Sequence, residues 1–238
     1  MTTSNLQVFS PTEALRFGWD KATASWNGLI WITGAGALLS LLQNPPGHPP
    51  GGAASLLALA AHVGQIAVML VLLRAALLLH DDKPLPAFTF KDSLAGFLPF
   101  LLTYVLCGLI VAAGMVLLIV PGVLWGLRFG FAPLLMAEER SDAQAARPSL
   151  DPVAALRESS RITEGSRGQL FRFGALCLGV NLLGALALGV GLLLTVPTTC
   201  IAAVYVLRRL QEHAPRLAET PTAPLSHPLV RQDPATGH

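Results

Sequence analysis

The chain has 238 residues, 53% of them hydrophobic and only 13% charged, with a formal net charge of +2. Charged residues stand at about half the ~25% usual for a soluble domain, so a water-soluble fold of this length cannot cover its apolar surface. The most charged stretch, Glu138 to Arg167, holds five arginines against six acids, which excludes a basic nucleic-acid footprint.

The opening residues, Met1 to Asn27, carry Glu13, Arg16, Asp20 and Lys21 and do not read as a cleavable signal peptide. They predict instead a surface helix. Ser10 is placed to cap it, Pro11 takes its first position and Glu13 completes a capping box. Leu15, Trp19, Ala22 and Trp26 fall on one face, opposite Glu13, Arg16, Asp20 and Thr23.

Apolar runs of about 16 to 25 residues follow, against roughly 20 needed to cross ~30 Å of hydrocarbon. They predict spans over 26–42, 55–79, 97–120, 122–137, 170–191 and 193–207. Short turns at Pro121-Gly122 and around Gly189 to Pro197 pair them as hairpins, since backbone groups in hydrocarbon must be satisfied internally. The expected fold is an all-α integral membrane domain over residues 1–210, with six transmembrane helices in three hairpins. A Pro-rich polar tail over 211–238 lacks periodicity and reads as disordered.

The segment Gln43 to Ala54 and the turns at Pro121 and Gly189 contain no Lys or Arg; all sixteen basic residues lie on the opposite side or in helices near it. By the positive-inside rule that side is cytoplasmic, together with both termini. Each hairpin is preceded by a short amphipathic surface segment, the second over Pro86 to Gly96 and the third starting at Asp151-Pro152. Pro11, Ala14, Leu15, Arg16, Ser25 and Leu29 recur 141 positions later as Pro152, Ala155, Leu156, Arg157, Ser166 and Leu170. This predicts a parallel internal repeat, unlike the inverted repeats of many transporters.

Gly122, Gly126 and Gly130 form a glycine zipper on the fourth span, expected to pack against Gly108 and Ala112 of the third; Ala175 with Gly179, and Ala185 with Gly189, repeat the device on the fifth. A hinge or pore lining is the functional alternative. Arg128 stands about nine positions from the cytoplasmic end of its run, a costly depth for a charge. It either snorkels to the inner surface or meets an anion or lipid head group. Thr103, Tyr104, Gln65, His62, Asn181, a carbonyl or a lipid phosphate are its candidate partners.

Catalytic signatures are missing: GxSxG, HExxH, a Walker loop and GxGxxG are not found. The spans hold no Asp or Glu, His62 reads as packing rather than proton relay, and His48 and His80 have no second His at ligand spacing. Cys107, Cys177 and Cys200 lie in apolar runs as small hydrophobes, with no CxxC pair. The expectation is a non-enzymatic protein without metal or cofactor, acting as scaffold or accessory subunit through contacts with lipids, other membrane proteins or itself. A transporter for a small or amphiphilic solute is the alternative.

Three stretches carry a family resemblance. Ala155-Leu156 with Ser159, Thr163, Gly165 and Phe171 resembles the signature of a group of multi-pass bacterial membrane proteins that includes YciC-like proteins and the membrane domain of some glycerophosphoryl diester phosphodiesterases. Val120-Pro121-Gly122 through Arg128, Phe131 and Pro133 agrees with it, as does Val196-Pro197 through Tyr205. The resemblance implies a six-helix fold in the bacterial inner membrane. It brings no phosphodiesterase chemistry, which resides in a separate soluble barrel. Ser160 stands where an aromatic is common and Glu164 where Lys is common, which argues against a basic phosphate patch there.

Overall fold

The computed structural model describes residues 8–43, 53–83, 85, 96–117, 119–139, 151–187 and 189–213. Every regular element among them is a helix: α1 (Pro11–Ala24), α2 (Trp26–Gln43), α3 (Ala53–His80), α4 (Phe97–Leu117), α5 (Ile119–Phe129), α6 (Ala132–Glu139), α7 (Pro152–Ile162), α8 (Arg167–Leu186) and α9 (Leu192–His213). Four segments are long and apolar enough to cross a membrane: Ser55–His80, Phe97–Val116, Arg167–Leu186 and Leu192–His213. The apolar part of α2, Trp26–Leu41, is shorter. The predicted second surface segment falls outside the described residues except at its last position, Gly96, as does most of the predicted tail.

The predicted fourth span is two helices. α5 ends at Phe129 and α6 begins at Ala132, with Gly130 and Phe131 in the turn. In an unbroken helix the Phe129 carbonyl would accept from residue 133, which is Pro133 and has no N–H. The turn expected at Pro121-Gly122 is displaced as well, because both residues lie in the first turn of α5. A proline is tolerated there, where the N–H would have no intrahelical acceptor.

α9 is the hub. It packs against α1, α2, α3, α7 and α8, and 50% of its apolar window is buried against 17% for α4 and α8. It also runs to His213 rather than ending at Leu207, so Gln211 belongs to the helix and not to a tail. Arg208 of that extension pairs with Glu138 of α6 and lies 3.7 Å from Asp81 at the end of α3, while Gln211 donates to Glu138 at 2.9 Å. Lys21 of α1 pairs with Asp82 in the same belt and holds its carboxyl below the ordinary 3.8, first by the hydrogen bond and then by charge. That contribution is present above the ordinary value and is lost as pH falls through the depressed one. Exposed pairs of this kind are individually weak; their effect is to register the ends of α1, α3, α6 and α9.

α1 lies across α9, and of the predicted membrane-surface stripe only Ala22 is buried. Ala14, Gly18 and Ala22 are buried while Trp19 remains 46% exposed. A side chain at Gly18 would run into the Thr198 carbonyl and come within 3.1 Å of the Ala202 Cβ, so close backbone approach, not aromatic burial, seats this helix. The capping box is absent too. Ser10 makes no side-chain cap, and Glu13 accepts a hydrogen bond from the Tyr205 hydroxyl at 3.2 Å.

α7 repeats the register of α1. Ala155, Ser159 and Thr163 are buried where α1 buries Ala14, Gly18 and Ala22, and Leu170 is as fully buried as Leu29. Gly165 follows α7 at φ +85°, a left-handed turn that L side chains rarely adopt.

The glycine contact between α4 and α5 also differs from expectation. A Cβ at Gly122 would lie 2.6 Å from the Met115 Cγ, and one at Gly114 would lie 2.8 Å from the Gly122 Cα, whereas one at Gly108 would meet nothing within 4 Å. Gly122 therefore packs on Gly114 and Met115, two to seven residues along α4 from the predicted Ala112 and Gly108. Gly122→Leu should destabilise the protein by ~1–3 kcal/mol through overpacking, read as a lower melting temperature in detergent. Gly108→Leu should melt with the wild type. Equal melting of both variants would reject this contact.

Candidate binding site in the helix bundle

The break between α5 and α6 frees carbonyls, and the side chains of Ser159 and Cys107 take them. Ser159 Oγ donates to the Arg128 carbonyl at 2.8 Å, with Thr163 Oγ1 at 3.4 Å from the same oxygen. Cys107 Sγ of α4 donates to the Phe129 carbonyl at 3.4 Å. Ser159 and Thr163 are almost completely buried, as expected where a polar backbone group must be satisfied away from water. Two of the three stretches behind the family resemblance thus meet at one point.

Arg128 is exposed near the C-terminal end of α5. Its Nε donates to Ser160 Oγ at 2.6 Å, and its guanidinium lies 5.6 Å from the Phe129 ring centroid. The helix ends one residue later. None of the candidate side-chain partners is used. Thr103 donates to the Pro99 carbonyl at 2.9 Å, His62 lies 3.5 Å from Gln43, and Asn181 donates to Thr199 at 3.4 Å. Ser160 was visible in the sequence only as a departure from the family pattern.

Beside the break lies a cavity of about 370 Å³, within the range of small-molecule pockets. Its walls come from α3 (Met69, Leu73), α4 (Tyr104), α5, α6, α8 and α9. Gly126, Leu127 and Gly130 supply the α5 side, and Leu170, Gly174, Cys177 and Asn181 supply α8. Apart from the thiols of Cys177 and Cys200, the polar side chains lining it are Tyr104, Asn181 and Thr199. Tyr104, Gly130 and Gly174 are exposed, so the cavity reaches the protein surface between α4, α5 and α8. Gly126 and Gly130 line this cavity: a Cβ at Gly126 would be 4.0 Å from Val111, an ordinary contact, and the Gly130 N–H closes α5 on the Gly126 carbonyl at 2.8 Å.

On α8 the predicted contact of Ala175 and Gly179 is not made among the described residues. Ala175 and Gly179 are exposed, and a Cβ at Gly179 would meet nothing within 4 Å. The close approach to α9 is made by Gly184, where a Cβ would be 3.0 Å from the Thr195 Cγ2 and 3.1 Å from the Gly191 carbonyl carbon. Gly189 forms the intervening turn at φ +75°. Pro197 is buried inside α9, while the side chain of Pro121 falls outside the described set.

Among the described residues no group of three or more His, Cys, Asp or Glu could hold a metal ion. The class these features define is an all-helical chain with several membrane-length apolar helices and an apolar cavity among them. Comparison with family models, curated proteins and solved structures finds no match for the chain.

The capped break yields a direct test. Ser159→Ala removes the close donor from the part-buried Arg128 carbonyl and should cost ~1–3 kcal/mol. Ser160→Ala, which removes one exposed hydrogen bond, should shift the melting temperature much less. The reverse order would show that the Arg128 side chain, and not its carbonyl, holds α7 in place.

Proposed function

We propose that this chain is a non-enzymatic multi-pass protein of the bacterial inner membrane that binds a lipid chain within its helix bundle, as scaffold or accessory subunit. The observation that carries the reading is the cavity, apolar on nearly every wall and reaching the surface beside membrane-length helices. A hydrated solute would need a continuous polar lining, so three polar side chains favour a lipid over transport.

In this reading α2, α3, α4, the α5–α6 pair, α8 and α9 make six crossings. α1 and α7 lie on the cytoplasmic surface, and the termini face the cytoplasm. The belt of Lys21, Asp81, Asp82, Glu138 and Arg208 at one end supports that orientation. The matching burial of α1 and α7 supports the parallel repeat, and the meeting of motif residues at the break supports kinship with the YciC-like group.

Arg128 is the proposed contact for an anionic head group. Its terminal amino groups have no hydrogen-bond partner among the described residues, and Ser160 orients the guanidinium.

Native mass spectrometry of protein taken from bilayers in mild detergent tests both parts. Cys177→Phe, which fills the cavity, should lower total bound lipid severalfold without lowering thermal stability. Arg128→Leu should lose anionic lipid selectively, and Arg128→Lys should recover it only in part, because a point charge does not reproduce a bidentate fork. Lipid adducts unchanged by Cys177→Phe would overturn the cavity reading. Adducts unchanged across the Arg128 series would leave that residue as a partner of Ser160 alone.

A further inference from the structure

The cavity has a polar end whose hydrogen-bond direction is fixed. The Thr199 hydroxyl has one proton, and it goes to the Val196 carbonyl at 2.9 Å. Its oxygen is left able only to accept, so the Asn181 amide must turn its Nδ2 toward Thr199, at 3.4 Å. The other end of the amide, Oδ1, is buried with no hydrogen-bond partner. Both residues line the cavity. A buried acceptor left unpaired is costly, and here the unpaired atom belongs to a residue of the cavity wall.

Position narrows the ligand further. Leu170 and Asn181 both line the cavity from α8, and eleven residues of helix rise about 16 Å. The acceptor therefore stands well inside an apolar helix, far from the charged belt. A charged group at such depth is expensive, whereas a neutral hydroxyl can complete the amide and leave its hydrocarbon chain on Leu73, Leu127, Leu134, Leu170 and Phe173.

The geometry points to Asn181 Oδ1 as the selectivity element of the cavity, accepting a hydrogen bond from the hydroxyl of a neutral long-chain lipid alcohol or hydroxylated chain. This rests on the lipid-binding reading of the same cavity and adds the chemical class of its occupant. Among the polar groups on the wall, Tyr104 is exposed at the rim, while Asn181 and Thr199 mark the inner end.

The test compares three probes of equal chain length in nanodiscs: tetradecanol, methyl tetradecyl ether and tetradecane. Binding is read from the thermal shift as a function of mole fraction and from adducts in native mass spectrometry. The ether keeps the oxygen and removes the donor, so wild-type protein should bind the alcohol about five- to tenfold more tightly than either the ether or the alkane. Asn181→Leu should level the three. Thr199→Val frees the amide to rotate and should bring the ether close to the alcohol; this variant and the wild-type ranking decide the matter if Asn181→Leu does not fold.

Equal binding of all three probes by the wild type would overturn the assignment of Asn181 and leave the cavity reading standing. An ether that matches the alcohol, with the alkane behind, would show that Asn181 presents its donor instead. Absence of binding by all three, with lipid adducts indifferent to Cys177→Phe, would remove the lipid-binding reading itself.

Discussion

The carbonyls of Arg128 and Phe129 impose the constraint on which the rest of the bundle depends. Gly130 and Pro133 interrupt the fourth apolar run, and a proline in that position leaves the Phe129 carbonyl without its helical donor. In a hydrocarbon environment such groups cannot remain open. The chain resolves the problem with side chains from elsewhere, Ser159 on α7 and Cys107 on α4. α7 is therefore held on the break, and α8, starting four residues after Thr163, is placed so that Leu170, Gly174 and Cys177 face α5 across the cavity.

Around that point the fold uses close backbone approach more than side-chain bulk. Gly18 on Thr198, Gly122 on Gly114 and Gly184 on Gly191 each occupy a site where a Cβ would collide. Small residues are the usual means of helix association where the surroundings are as apolar as the helix surface. The belt centred on Arg208 ties the ends of α3, α6 and α9 together, and no charged side chain lines the cavity. Segregation of this kind leaves the cavity walls to apolar side chains and isolates the one unpaired amide oxygen on them.

Much of the architecture was readable from the order of residues. Run length and lack of charge located the long helices, Pro11 and Pro152 marked the starts of α1 and α7, and the offset between them anticipated equivalent buried positions at Ala14 and Ala155. What failed depended on contacts distant in sequence. Amphipathic periodicity ranks residues by hydrophobicity and marked a membrane-surface stripe on Leu15, Trp19, Ala22 and Trp26; it does not reveal that α9 selects Ala14, Gly18 and Ala22 by clearance. The fourth run was read as one straight helix, although Gly130 and Pro133 already carried the signal for a break. The cavity could not be foreseen, since no local pattern brings Tyr104, Leu127, Asn181 and Thr199 to one place.

A density map of the protein determined in a lipid bilayer tests the account most directly. The account predicts continuous tubular density entering between Gly130 and Gly174 and ending within hydrogen-bond reach of Asn181 Oδ1, with Ser159 still on the Arg128 carbonyl. A bundle in which α8 has closed onto α4 and α5, leaving no cavity between Leu127 and Cys177, would contradict it.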